Sequence, residues 1–255
     1  MSTTVLPAAR RHRSRLVRTE ATLFRRDPVG LVWGMLAPLI AIVVLGAFPA
    51  TRDPAKELHG LSYFSAYLPI ITVFSMSMLA LNGLPPVLGT YRERGVLRRL
   101  ATTPVSPVAL LRVQVLLHFT AGALTSIVLL VVARFGYHVA LPQQFFGFVV
   151  TYALAAAALL GIGVFVAAVA PSAKVANAVG AMLFFPMMFF AGLWLPRAQM
   201  PSALRHISDY TPLGATVQAM QDATQGQFPG ALQLGVLAAY AVMFGALAVR
   251  MFRWE

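Results

Sequence analysis

Six apolar stretches of about 20 residues or more fill most of this chain, and short segments between them collect nearly all of its charge. Crossing ~30 Å of hydrocarbon takes ~20 apolar residues in an α-helix. The stretches are spaced to predict an all-α integral membrane protein with spans at about 29–48, 63–84, 108–133, 144–170, 175–195 and 230–249. Composition agrees: 58% of residues are hydrophobic and 11% charged, with a mean hydropathy of +0.74, where a soluble domain carries roughly 25% charged residues. We expect an amphipathic leader over residues 1–27 and one membrane domain over residues 28–255.

Net charge is +12, which could suggest nucleic acid. Position argues against that partner, because the basic residues gather at the ends of apolar runs, where they orient a membrane protein. Six spans return both termini to one side. That side holds seven arginines before span 1, Arg92, Arg94, Arg98, Arg99 and Arg112 between spans 2 and 3, Lys174, and Arg250 with Arg253: fifteen of the twenty basic residues. The excess predicts cytoplasmic termini, a cytoplasmic segment at 90–112 and an external one at 196–229. The preference for arginine over lysine, with abundant alanine, suggests a GC-rich bacterial genome and so a bacterial plasma membrane.

Arginines run up to the first span, unlike the short basic start of a cleavable signal. At about 100° per residue, Leu16, Val17, Leu23 and Phe24 share one side of a helix, and Arg15, Arg18, Arg25 and Arg26 the other. Such a helix lies on a membrane surface with its arginines among anionic head groups. Glu20 falls inside the apolar arc and interrupts it. Asp27-Pro28 breaks the chain before span 1, and Pro38 predicts a kink within it.

The segment from Thr90 to Arg112 is too charged for lipid and too patterned for a slack connector. Pro85-Pro86 closes span 2 ahead of it. A helix over 91–100 puts Val96, Leu97 and Leu100 on one side and Arg92, Arg94, Arg98 and Arg99 on the other. Glu93 lies amid the apolar arc, where a carboxylate suits a protein partner's cation better than lipid. Gly95 weakens such a helix by about 1 kcal/mol relative to alanine, so it would form stably on docking. Thr103-Pro104 stops the helix, and Ser106-Pro107 restarts one into span 3. A docked helix joined by a tight turn to a span reads as a lever; the alternative is an ordinary basic loop. In the 196–229 segment, Pro201-Ser202 opens a short helix through Ile207. Thr211-Pro212 is a cap with proline at the first helical position, after which Leu213, Val217 and Met220 recur at helical spacing. These two helices either tuck against the outer leaflet or form a surface lid.

Chemistry of the chain's own is missing. A phosphate loop needs Gly-Lys-Ser/Thr, yet Lys56 and Lys174 follow Ala55 and Ala173. The spans contain no Asp or Glu, which disfavours a proton-coupled carrier. His118, within span 3, reads first as a hydrogen-bonded interior histidine. There is no cysteine and no HExxH pair, so no thiolate, disulfide or zinc-protease site is expected. The chain is not expected to be an enzyme or to hold a metal, and a membrane enzyme or scaffold has no positive support.

Arg25-Arg-Asp-Pro28, Pro38, the YRERGVLRRLATTPVSP wording of 91–107 and LPRAQMPSALRHISDYTPLGATVQAM at 195–220 together resemble the permease subunits of type-2 ABC exporters, most of all the daunorubicin-resistance group. The likeness covers nearly the whole chain. It implies that Tyr91, Arg92, Glu93, Arg94, Gly95, Leu97, Arg98, Arg99, Thr103 and Pro104 form a coupling helix docked on an ATPase subunit. It implies that Leu16, Val17, Arg18, Leu23, Phe24 and Arg25 belong to an interface helix beside it. Pro196, Pro201, Pro212, Leu213 and Val217 would belong to paired re-entrant helices before span 6. Two ATPase subunits would bind ATP and Mg, and a second permease, identical or homologous, would complete the path. Cargo would be a hydrophobic drug, metabolite or lipid; a surface glycan or lipid-linked polymer is the alternative.

Overall fold

The computed structural model describes residues 16–58, 60–96, 99 and 107–251. Among these, every regular element is helical, and one isolated antiparallel bridge joins Pro54 to Ser62. Helix α1 covers residues 16–24. A continuous run, α2, opens as Pro28–Leu31, winds as a π-helix over Val32–Leu36 and continues as Ala37–Ala47. Helix α3 spans Tyr63–Glu93, with a π-turn at Met78–Gly83. Pro107–Val131 is α4, Phe145–Val169 is α5 and Ala173–Ala191 is α6. Two shorter helices, α7 (Ser202–Asp209) and α8 (Pro212–Thr224), precede α9 (Ala231–Met251). Five of these, α3, α4, α5, α6 and α9, are long and apolar enough to cross a membrane; the apolar part of α2, Val32–Ala47, is shorter.

Ordinary capping chemistry sets several boundaries. Ser62 caps α3 by accepting from the Ser65 amide at 3.1 Å. Ser172 caps α6 through the Val175 amide at 3.2 Å, and Gly192, at φ +93°, ends that helix. Pro107 occupies the first position of α4; Ser106 lies outside the described residues.

The central column is α3. Within its most apolar window 78% of residues are buried inside the protein, against 11% in α9. Sequence reading ends span 2 at Pro85-Pro86, but the helix runs on to Glu93. The reason is the π-turn. There the Leu84 amide reaches back five residues to the Leu79 carbonyl. Continued for two more residues, that register would draw donors for Ala80 and Leu81 from Pro85 and Pro86, which have none. Neighbouring glycines receive both carbonyls: a Cβ at Gly163 of α5 would collide with the Ala80 oxygen, and one at Gly180 of α6 with the Leu81 oxygen. Close approach across small residues is how helices pack in lipid. Span 1 repeats the device on a smaller scale. Pro38 cannot donate to the Gly34 carbonyl, and the Ser75 hydroxyl of α3 donates to it instead, at 2.5 Å.

The predicted helix over 91–100 is divided at Arg94–Gly95, and beyond that break Val96 and Arg99 are helical again. Tyr91, Arg92 and Glu93 are the last turn of α3. Arg94 is its C-cap and Gly95, at φ +65°, the left-handed residue beyond it. Gly95 terminates α3, the usual task of glycine at that position, and its carbonyl accepts from the Arg99 amide at 3.1 Å. Leu97, Arg98, Thr103 and Pro104 lie outside the described residues.

Beyond α6, Thr211 caps α8 through the Gly214 amide at 3.2 Å. Pro201 sits at the N-cap of α7 without a side-chain bond, and Ser202 is its first residue. Helix α8 is no surface lid. Leu213, Val217 and Met220 are 0–1% exposed, and the helix packs on α3, α5, α6 and α9.

Candidate functional site

One end of the bundle gathers the last turn of α3, the start of α4, the α5–α6 turn and α1. On α1 a stripe at four-residue spacing faces the protein: Leu16, Glu20 and Phe24. Leu16 packs on the core, and the Phe24 ring meets His118 of α4 edge-on at 5.1 Å. Glu20 is 6% exposed. Its Oε2 accepts from the Tyr91 hydroxyl and from Gln114 Nε2, each at 2.6 Å. The carboxylate that interrupts the apolar arc therefore ties three helices, with two donors to offset its desolvation. His118 Nδ1 bonds the Gln114 carbonyl at 2.8 Å, as an interior histidine should.

Val17, Arg18, Leu23 and Arg25 are exposed, and Leu23 lines a cavity beside Phe24 as well. The predicted apolar side thus divides between protein and surroundings.

The next two residues of α3 clamp the α5–α6 turn. Arg92 donates to the carbonyls of Ala168 and Ala170 at the C-terminal end of α5. Glu93 Oε1 accepts from the Ala173 amide, first in α6, at 2.8 Å. A cation thus meets the negative end of one helix dipole and an anion the positive end of the next. Gly89 allows the approach, since a Cβ there would lie 2.8 Å from Ala173 Cα. In this structure Glu93 meets its own chain, where sequence reading expected a partner's cation. Arg94 and Arg99 remain exposed, and a cavity of about 520 Å³ separates α1 from α3 and α4 beside the knot.

At the opposite end Arg197, 8% exposed, holds the predicted proline-rich segment together. Its guanidinium donates to Asp209 Oδ1 at 2.7 Å, Ser208 Oγ at 2.6 Å and Gln218 Oε1 at 3.1 Å. Pro196 precedes this arginine; Pro201 and Pro212 open the two helices it joins. Between the ends, an open cleft of about 680 Å³ lies among α2, α3 and α6, bounded by the π-turns of α2 and α3. Trp33, Phe74, Met78, Phe184 and Trp194 dominate its wall, and only Asp27, Asn82, Thr90 and Asn177 among sixteen lining residues carry polar groups other than an indole.

Sequence reasoning missed Gln114 altogether, met Glu20 as an interruption of an apolar arc, and read Glu93 as a contact for a partner's cation. Each carboxylate breaking an amphipathic arc was the available signal. Apolar helices of this number, wrapped around a buried column, define a multi-pass membrane protein. The ABC-2 type transporter family model matches residues 14–224, and the chain belongs to that family. It is similar as well to ycf38 of Cyanophora paradoxa, which carries the provisional name of transport permease, with 27% identity over 81% of this chain and 71% of that protein. A permease of this family works with an ATPase subunit.

Proposed function

We propose that this chain is the membrane subunit of an ABC exporter that moves a hydrophobic small molecule out of a bacterial cytoplasm. It crosses the plasma membrane six times, α2 being the first crossing, and keeps both termini inside. The wording at 91–107 and 195–220 favours the daunorubicin-resistance group. ATP and Mg are held by two ATPase subunits, and this chain does no catalysis. A second permease, identical or homologous, faces the cleft, and α7 and α8 enter from the outer side as re-entrant helices. The apolar lining supports drug-, metabolite- or lipid-like cargo over a glycan.

One observation supports the reading: the basic segment that resembles an ATPase-coupling helix begins at the exposed end of the central helix. A push on Arg94, Gly95 and Arg99 reaches α3 directly, α1 and α4 through Tyr91, Glu20 and Gln114, and α5 and α6 through Arg92 and Glu93. Met78, Asn82 and Gly83, in the π-turn of the same α3, line the cleft. Movement of the helix end thereby reaches the cleft wall.

Arg94→Glu with Arg99→Glu tests this, because both side chains are exposed and stand outside the Arg92–Glu93 clamp. The double variant should insert and fold normally yet lose co-purification with the ATPase. Undiminished cargo-stimulated ATP hydrolysis in that complex would refute the docking role.

A further inference from the structure

A second groove lies away from the cleft, among α4, α5 and α9, with a volume of about 740 Å³. Its α4 wall is one helical face, from Val108 to Phe119. Its floor is made of small residues, Ala157 and Gly161 of α5 with Gly245 and Ala248 of α9. A Cβ built on Gly245 meets nothing within 4 Å, so the floor lies open there. Every lining side chain is apolar except Arg112, which is exposed near the start of α4.

We infer that this groove binds an anionic phospholipid of the surrounding bilayer, with the headgroup phosphate on Arg112 and an acyl chain along the small-residue floor. The dimensions fit. From Val108 to Phe119 an α-helix rises about 16 Å at ~1.5 Å per residue, roughly one leaflet of a ~30 Å hydrocarbon layer. The charge lies one turn from the Val108 end of that path, the end expected at the cytoplasmic interface, and the remaining lining side chains are apolar. A guanidinium between membrane helices is suited to a lipid phosphate. A second copy of this chain fits poorly: α4, α5 and α9 contain no Asp or Glu, so a symmetric pairing through this face would leave both Arg112 side chains without a counter-charge.

Purified, delipidated protein titrated with phosphatidylglycerol or phosphatidylcholine, with bound lipids counted by native mass spectrometry, tests the site. Wild type should bind one phosphatidylglycerol in preference to phosphatidylcholine. Arg112→Gln should remove that preference, an effect of about fivefold for one cation near the membrane surface. Gly245→Leu should abolish the tight site for both lipids while elution volume and melting temperature stay unchanged; should it misfold, Ala157→Leu blocks the same floor. Equal binding of the two lipids by wild type, or an unchanged count in a folded groove-blocked variant, would overturn the inference. So would disulfide-linked dimers of Gly245→Cys, which would give the groove to a second copy; the chain has no cysteine of its own to confuse that result.

Discussion

The two polar knots at opposite ends of the bundle are built in contrary ways. Around Arg197 the partners Ser208, Asp209 and Gln218 stand only 11, 12 and 21 residues away in sequence. That knot staples one local segment. At the other end Glu20, Arg92 and Glu93 reach partners 71 to 94 residues away, and each contact joins helices that the chain connects only distantly. Much of this second set is part-buried or exposed, whereas Arg197 is buried. The difference suits one end for holding shape and the other for passing displacement among helices.

Breaking the staple should produce the largest effect. Arg197→Ala removes three hydrogen bonds and strands Asp209, itself 22% exposed, at a cost of about 3 kcal/mol. Reduced yield of folded protein and a lower melting temperature should follow, with coupling per folded molecule unchanged. Glu20→Ala should behave the other way. Losing a carboxylate that accepts two bonds costs about 2 kcal/mol, yet the ATPase should still bind, because Arg94 and Arg99 are untouched. Cargo export per ATP hydrolysed should fall, which transport and hydrolysis measured on one reconstituted sample would reveal. Equal loss of coupling in Arg197→Ala and Glu20→Ala would erase the distinction between the ends.

A smaller effect concerns Asp222, which accepts from Gln218 beside the staple at 2.7 Å. Burial pushes its carboxyl above the ordinary range, opposed by the Gln218 bond and by Arg197. A group whose folded pKa exceeds its unfolded one adds stability at low pH that is lost as pH rises through the folded value. The loss should therefore set in above about pH 4, the usual aspartate range. Asp222→Asn should flatten this modest decline in melting temperature, and an unchanged slope would assign the pH dependence to another group.

Much of the fold was legible because its signals are local. Apolar runs located the helices, Thr211-Pro212 marked the start of α8, and Pro107 took the predicted first position of α4. Distant partners were not legible. Pro85-Pro86 looked like a stop because the π-turn and the glycines at 163 and 180 that accommodate it cannot be read from neighbouring residues. Gly95 looked like a weak point in a helix because a positive φ is invisible in a helical wheel. Glu20 and Glu93 were conspicuous, but their partners, Tyr91, Gln114 and the first amide of α6, depend on tertiary packing. The burial of α8 was hidden for the same reason: its Leu213, Val217 and Met220 face would serve a lid or a core equally well.

On the proposed function, the end of α3 receives the ATPase and the Arg197 end does not. With no native cysteine, Arg94→Cys and Gln225→Cys each place a single thiol at one end, both at exposed positions. Cross-linking each variant to its ATPase subunit in membranes reads the contact directly. Position 94 should give an adduct that changes with ATP and position 225 none; an adduct from 225 with none from 94 would place the ATPase at the wrong end of the bundle.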